Sequence, residues 1–298
     1  MAFGADSTTD EVIDGIDLSG RTAVVTGAGA GLGTETVRSL ASAGARVVLA
    51  GRDRGKSERA VGIVRESVPD AELEIRDLDL ASLASIRAFA DALAGDLVLD
   101  LLINNAGVMA CPLERTADGF ELQLGTNHLG HFAWTTALLG NLSDDHRIIN
   151  VSSRGHFLGG ILWDDPHFRD ASSYDKWRAY GQSKSANILF TTGLAARGYT
   201  SYALHPGMIH TELGRHLTTE DTEGLRKRAP GTYKTVPQGA ATTVFGCVTD
   251  GIPNGAYLED AAVAGPVNAD FSAGVMPHAI DPDEAERLWQ WSEDQTGS

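Results

Sequence analysis

The sequence is poor in the features that mark whole classes of protein. It has two cysteines in 298 residues, Cys111 and Cys247, so no disulfide framework can be drawn. His128, His131, His156, His205 and His210 are scattered over several predicted elements without a nearby acid at ligand spacing, and no metal is expected. Positive charge is also scarce. Twenty-four Lys and Arg against 40 Asp and Glu give a formal net charge of −16, which would repel both nucleic acid and anionic membrane. No window reaches 18 consecutive apolar residues, so no membrane span is expected. Residues 1–17 have neither the basic n-region nor the apolar h-region of an export signal and read as a flexible leader. No internal repeat or linker divides the rest. These absences leave a soluble, cytoplasmic, single-domain protein whose 42% hydrophobic content suffices for a packed core.

What the sequence does contain is an alternation of strands and helices. Thr22 to Thr26 is a β-rich run that enters Gly27-Ala28-Gly29-Ala30-Gly31-Leu32-Gly33, and a helical pattern with Val37, Leu40 and Ala41 follows. Strand, glycine-rich turn and helix form the context in which backbone N–H groups bind phosphate. The glycines fit T-G-x-x-x-G-x-G rather than G-x-G-x-x-G. A second strand, Val47 to Ala50, ends at Gly51-Arg52-Asp53, and a third, around Leu73 and Ile75, ends at Asp77-Leu78-Asp79-Leu80. An apolar run over 97–103 opens onto Asn104-Asn105-Ala106-Gly107, and a long helix over Phe120 to Leu139 carries Asn127. Arg147 to Val151 is a strand ending at Ser152-Ser153, and Thr200 to Leu204 leads into His205-Pro206-Gly207. This rhythm predicts β-α-β units and a doubly wound parallel sheet with its ligand beyond the carboxyl ends of the strands.

A further helix is predicted from Tyr180, with no proline before Gly198. Tyr180 and Lys184 are four residues apart and share a face. A fixed ammonium beside a phenol favours phenolate, so Tyr180 is expected to have a lowered pKa and to serve as an acid or base near neutral pH. The aromatics of 154–179 (Phe157, Trp163, Phe168, Tyr174, Trp177) are expected to form an apolar substrate pocket. The polar stretch 208–236, with Gly214, Gly224, Gly231 and the cluster Arg226-Lys227-Arg228, reads as a mobile substrate lid.

Thr26-Gly27-x-x-x-Gly31-x-Gly33, Asn104 to Gly107, Ser153, Tyr180-x-x-x-Lys184 and Pro206-Gly207, in this order, resemble the motifs of the single-domain short-chain dehydrogenase/reductases over roughly residues 18–262. Asn104 to Met109, Thr116 to Phe132 and Ala179 to Phe190 are similar to the retinol-dehydrogenase-like branch. The resemblance implies a Rossmann-type α/β fold and nicotinamide-dependent interconversion of an apolar alcohol with a ketone or aldehyde. Tyr180 is then the acid/base, and Lys184 supports it while binding the nicotinamide ribose. Ser153 donates to the substrate oxygen, and Asn127 holds a water linking Lys184 to solvent. The implied cofactor wall is Gly27, Gly29, Ala30, Gly31, Leu32, Gly33, Arg52, Asp79, Leu80, Asn105, Ala106, Gly107, Tyr180, Lys184, Pro206 and Gly207. Many animal members of this branch carry a membrane-anchoring segment that residues 1–17 do not resemble, so retinol itself is not implied as the substrate.

Cofactor choice is read from the end of the second strand. Selection for NAD(H) usually places a carboxylate there. Here Gly51 occupies that position and Arg52 follows, so NADP(H) is expected over NAD(H). Asp53 is the residue that could reverse this by taking the ribose hydroxyl. Asp79 is read equally as an acceptor for the adenine amino group and as a helix-capping acid. Two rival functions share the fold: a double-bond reductase, and a non-catalytic dinucleotide sensor, which commonly lacks the Tyr or Lys retained here. The family's usual pairing of the Asn127 and Tyr180 helices predicts a homodimer or homotetramer.

Overall fold

The first strand, β1 (Thr22–Thr26), is buried at every position. A β-branched run of this kind needs cover on both faces, and helices supply it. Along the chain follow β2 (Arg46–Gly51), β3 (Leu73–Asp77), β4 (Leu99–Asn104), β5 (Leu142–Val151), β6 (Ser201–His205), β7 (Tyr257–Glu259) and β8 (Ala262–Val263). They form one sheet in the order β3-β2-β1-β4-β5-β6-β7-β8, parallel except for the β7–β8 pair. This computed structural model describes residues 3–93, 97–228 and 233–297. Gly231 of the expected lid and the side chains of 226–228 lie outside the described residues.

Strand side chains alternate between two cores, as the period of two requires. Ala23, Val25, Val47, Leu49 and Ile103 pack under α1 (Thr9–Ile13), α2 (Gly31–Ser42), α3 (Arg54–Ser67) and α9 (Val236–Val248). Val24, Val48, Leu102 and Ile148 face α4 (Leu83–Leu93), α6 (Gly130–Leu138), α7 (Lys176–Ala196) and α10 (Pro282–Thr296). The chain winds outward from β1 to β3 and then crosses to β4, so the carboxyl ends of β1 and β4 form the switch point where a crevice opens. Among the described residues no helix is long and apolar enough to cross a membrane.

The structure corrects several expectations. The segment read as a flexible leader forms α1, closed by a capping box between Thr8 and Glu11. Val12 and Ile13 are buried there, and Phe3 meets Phe245 edge-on with ring centroids 6.1 Å apart. Each buried aliphatic side chain contributes about 1.5–3 kcal/mol, enough to hold a helix too short to persist alone. The long helix over 120–139 is interrupted: α5 (Leu122–Leu124) runs into a π-turn, Gly125–Leu129, before α6 resumes. The short antiparallel β8 had no signal in the alternation. In the expected lid, residues 212–216 form a 3-10 turn and α8 (Thr219–Arg228) follows.

The outer face of the Asn127 and Tyr180 helices is where pairing with a second copy is expected. In the structure α10 covers it. Ala285 and Leu288 pack with Leu124, Ala186 and Leu189, while Trp289 meets Phe132 and Phe190 at ring-centroid distances of 5.0 and 5.8 Å. A four-helix interface on this face would have to displace that helix.

Candidate active site

Helix α7 starts at Asp175, whose carboxylate accepts from the N–H groups of Trp177 (2.9 Å) and Arg178 (2.7 Å). Residues 179–191 are all buried, because the helix is enclosed by the sheet, α5 and α10. Enclosure on every side fixes the Tyr180–Lys184 face against the carboxyl end of β5. The Lys184 ammonium donates to the carbonyl of Val151 (3.0 Å) and lies 5.7 Å from the centre of the Tyr180 ring. Ser153, two residues past the end of β5, accepts from the N–H of Gly155 at 3.0 Å, and its hydroxyl acts to lower the pKa of the Tyr180 phenol. A Cβ on Gly155 would stand 2.7 Å from Tyr180 Cε1, so only glycine lets this turn lie flat on the ring.

Both ionisable groups are almost wholly out of water, each 4% exposed. Burial pushes the Tyr180 phenol up to about 12, opposed by the Ser153 hydrogen bond. Burial also pulls Lys184 down to about 8. The direction is therefore the reverse of the expected depression of the phenol by Lys184. Desolvation sets it.

Asn127 sits in the π-turn and clamps the strand-to-loop junction after β4. Its Oδ1 accepts from Val108 N (2.8 Å), and its Nδ2 donates to Val108 O (2.9 Å) and Ser183 Oγ (3.0 Å). The Asn127 carbonyl accepts from His131 Nδ1 (3.0 Å), so the other ring nitrogen accepts from the Thr26 hydroxyl at 2.9 Å. Burial drives His131 down to about 4, which keeps this tautomer neutral. Thr26 Oγ1 in turn accepts from the N–H groups of Asn105 and Ala106, both at 3.0 Å. One buried chain of hydrogen bonds thus ties the π-turn to the ends of β1 and β4. A Cβ on Gly107 would lie 3.2 Å from Asn127 Oδ1 and 3.8 Å from Lys184 Nζ, so Gly107, Asn127 and Lys184 meet at one point.

The glycine-rich turn closes the other side of the crevice. Gly27 has φ +66°, and a Cβ there would stand 2.8 Å from Ala106 Cα. One on Gly33 would stand 2.4 Å from the carbonyl of Gly27. Ala30, at the N-cap of α2, offers no side-chain acceptor, so the N–H groups at the helix start face the crevice without a side-chain cap. Thr211 packs against Gly31, its Cγ2 3.3 Å from where a Cβ would be. Leu32 points instead toward Gly239 of α9. Past β2, Arg52 is exposed and has no hydrogen bond or ion pair among the described residues. Asp53 caps α3 by accepting from Lys56 N at 2.9 Å. Asp79 spends one oxygen on the N–H of Ala81 (2.9 Å), and the carbonyl of the buried Leu80 faces Gly130. Pro206 is buried, and Gly207 (φ +99°) leaves room for the Lys234 side chain.

The crevice therefore brings together the predicted residues of the turn, of β4 and of α7, and it fits a dinucleotide. The aromatic pocket is only partly assembled. Phe168 and Tyr174 pack edge-on at 5.1 Å, and the Tyr174 hydroxyl donates to Cys111 O at 2.7 Å. Trp163 donates to Glu284 at 2.7 Å and is covered by Arg287. These three rings serve packing, which leaves Phe157 and Trp177 half-buried. The histidines weighed as metal ligands occupy separate hydrogen bonds, with His128 on Ser292, His205 on Arg154 N and His156 on Ser153 O. His210 stacks on Tyr233 at 4.0 Å.

A family model described as short chain dehydrogenase matches residues 21–164. Retinol dehydrogenase 12 of Homo sapiens is 42% identical over 286 residues, covering 93% of this chain and 86% of that protein. The chain belongs to the short-chain dehydrogenase family. It lies in the retinol-dehydrogenase-like branch and is an oxidoreductase by that membership. A crystal structure of an uncharacterized protein from Mycobacterium Paratuberculosis superposes with a TM-score of 0.74 at 38% identity, covering 96% of this chain and 97% of that one. A Burkholderia cenocepacia short chain dehydrogenase, solved in complex with NADP, superposes with a TM-score of 0.64 at 26% identity, covering 81% of this chain and 96% of that one.

Sequence reasoning missed several residues of this dehydrogenase's site. Thr26 and His131 form the hydrogen-bonded chain behind Asn127. Thr211 covers the helix start, and Lys56 borders the glycine turn. Thr26 opens the glycine motif and His131 stands four residues after Asn127, but neither signal points to a hydrogen bond between them; Thr211 and Lys56 carry no signal.

Proposed function

We propose that this chain is an NADP(H)-dependent reductase or dehydrogenase that interconverts an apolar alcohol with its ketone or aldehyde. The observation that carries this reading is the meeting of Tyr180 and Lys184, both buried, on one helix face at the end of β5, with the Lys184 ammonium 5.7 Å from the Tyr180 ring and Gly107 and Asn127 beside it. A nicotinamide dinucleotide bound in the crevice supplies or accepts the hydride. The chain's own residues handle the proton and the oxygen. In reduction Ser153 Oγ donates a hydrogen bond to the carbonyl oxygen as charge develops there, and Tyr180 gives that oxygen its proton. In oxidation the Tyr180 oxygen takes the proton back. The Lys184 charge is assigned to steadying the phenolate left behind and to the nicotinamide ribose, and Asn127 to the proton route beside it.

Arg52, exposed past β2 and without a hydrogen bond or ion pair among the described residues, is assigned to the 2′-phosphate. With its carboxylate capping α3, Asp53 is less available as a rival acceptor. Residues 208–236 are assigned to a lid over the substrate. Assembly as a homodimer or homotetramer would need a surface other than the face covered by α10.

The test is a panel of ketones, aldehydes and alcohols followed at the nicotinamide absorbance with NADPH or NADH. Turnover is expected with the phosphorylated cofactor and is expected to disappear in Tyr180→Phe. A preference for NADH would overturn the cofactor assignment. Carbonyl turnover that survives in Tyr180→Phe would overturn the mechanism.

A further inference from the structure

The loop after β4 is gripped by a side chain that the motifs leave without a task. Gln123 of α5 is fully buried. Its Oε1 accepts from Ala110 N (2.9 Å), and its Nε2 donates to the Tyr174 hydroxyl (3.1 Å) and to the carbonyl of Lys176 (2.9 Å). The Tyr174 hydroxyl donates onward to Cys111 O at 2.7 Å. One carboxamide thus joins the loop, the segment ahead of α7 and the first residue of α7. Asn127, four residues on, takes the N–H of Val108 in the same way. Two residues of extended chain span roughly 6.6 Å and four residues of helix about 6 Å, so the two amides meet alternate N–H groups. Ala110 has φ +53°, and its N–H on Gln123 holds the sharp turn that ends the extended run there.

This grip decides where Met109 points. Val108 and Ala110 are buried, while Met109 between them is half-buried and belongs to none of the apolar cores among the described residues. The side-chain direction of Gly107 runs toward Lys184 Nζ, 3.8 Å from where its Cβ would be. Residues two apart on an extended chain share a face, so Met109 stands on the Lys184 side, one step beyond Gly107. We propose that Met109 contacts the apolar part of the substrate and determines its specificity, and that Gln123 is the positioning residue that aims it. The inference rests on the alcohol–carbonyl reading above and deepens it. An unbranched thioether adapts to apolar groups of varied shape, so the substrates it fits carry an aliphatic or aromatic group beside the carbonyl, with no polar partner required there.

The experiment uses the full chain with saturating NADPH and two probes, hexanal and propanal, the first long enough to lie along the thioether. Met109→Ala should raise the KM of hexanal relative to that of propanal by roughly tenfold, the effect falling on KM rather than kcat. Gln123→Met should raise the same ratio by about fivefold while the Kd for NADPH stays at its wild-type value. In the Met109→Ala background that rise should vanish, because nothing is left to aim. Tyr174→Phe removes one of the three partners of the amide and should raise the ratio by about twofold, so it carries the same cycle if Gln123→Met fails to fold. A wild type that reduces neither aldehyde would overturn the alcohol–carbonyl reading and this inference together. Reduction of both aldehydes with a ratio that Met109→Ala leaves unmoved would overturn the inference alone. A Gln123→Met effect that persists in the Met109→Ala background, or that falls equally on kcat and NADPH affinity, would make the amide a structural brace and overturn its positioning role.

Discussion

The two ends of the crevice are built on opposite principles. At the α7 end, Tyr180 and Lys184 are each 4% exposed and their neighbours leave no slack. At the α3 end, Arg52 is exposed, and Lys56 and Glu212, paired across the glycine turn, keep side-chain exposures of 38% and 59%. A buried group's energy is set by desolvation and by a few fixed hydrogen bonds, so it responds steeply to substitution and to pH. An exposed charge is screened, works through additive contacts of modest size, and responds to salt. The proposed function accordingly assigns chemistry to the first end and selection among cofactors to the second.

The largest expected effect comes from removing the Tyr180 hydroxyl. Tyr180→Phe keeps the ring on which Gly155 lies but deletes the transferable proton. Turnover is expected to fall by roughly 10²–10⁴ with NADPH affinity little changed, as measured by steady-state kinetics and cofactor titration. A loss of affinity to match the loss of turnover would mean that the buried corner acts through cofactor binding instead.

The same corner should imprint itself on stability. Lys184 is pulled down to about 8 from 10.5 by burial. Between those values the unfolded chain holds a proton that the folded chain has lost, so stability rises with pH through that window. Two and a half pKa units correspond to about 3 kcal/mol. Tyr180, raised to about 12 from 10.0, acts in the opposite sense, and the stability it confers is lost as pH climbs between those values. Urea unfolding of the unliganded protein at pH 7 and pH 9.5 should show a gain in wild type that Lys184→Met lacks. Equal pH dependence in the two proteins would mean that the ammonium is better solvated than its burial implies.

How much of this could be read from the chain follows the same division between local and distant causes. Buried strands announce themselves as β-branched runs, and the glycine turn, the β4 end and the Tyr180–Lys184 spacing are local patterns, so the fold and the meeting of Tyr180 with Lys184 were legible. The phenol's raised pKa was not, because α5, α10 and the sheet together remove the water and no spacing rule reports that. Nor was the π-turn. Its displaced carbonyl at Asn127 is answered by His131, and His131 is fixed by Thr26 on a different strand. The docking of α1 depends on α2 and α9, and its five residues carry little helical preference of their own. The Lys56–Glu212 pair joins positions that only the finished fold brings together.

At the exposed end, Arg52→Ala is expected to lower the ratio of catalytic efficiencies with NADPH and NADH by roughly ten- to a hundredfold, the worth of one charge-assisted hydrogen bond. Raising ionic strength should shrink the wild-type ratio while leaving NADH kinetics alone. A ratio unmoved by the substitution would make Arg52 a solvated loop residue and leave selection to its neighbours.

The smallest effect, and the one that best probes how the two ends communicate, lies in the lid. Lys176, the first residue of α7, donates to Asp221 Oδ2 of α8 at 2.5 Å, and the same oxygen accepts from the backbone N–H and hydroxyl of Thr218, both at 2.8 Å. Asp221 thus caps its own helix and fastens it four residues ahead of Tyr180. These contacts hold the carboxyl down at about 2, with burial opposing them, so the latch is charged throughout the neutral range. Asp221→Asn keeps much of the cap and removes the charge. Amide exchange in α8 should quicken by about two- to fivefold, and KM for an apolar carbonyl should rise by a similar factor with kcat unchanged, because the chemistry lies on the far side of the latch. A change in kcat without a change in exchange would show instead that Lys176 acts through the start of α7, and the lid would then be fastened only at its Glu212 end.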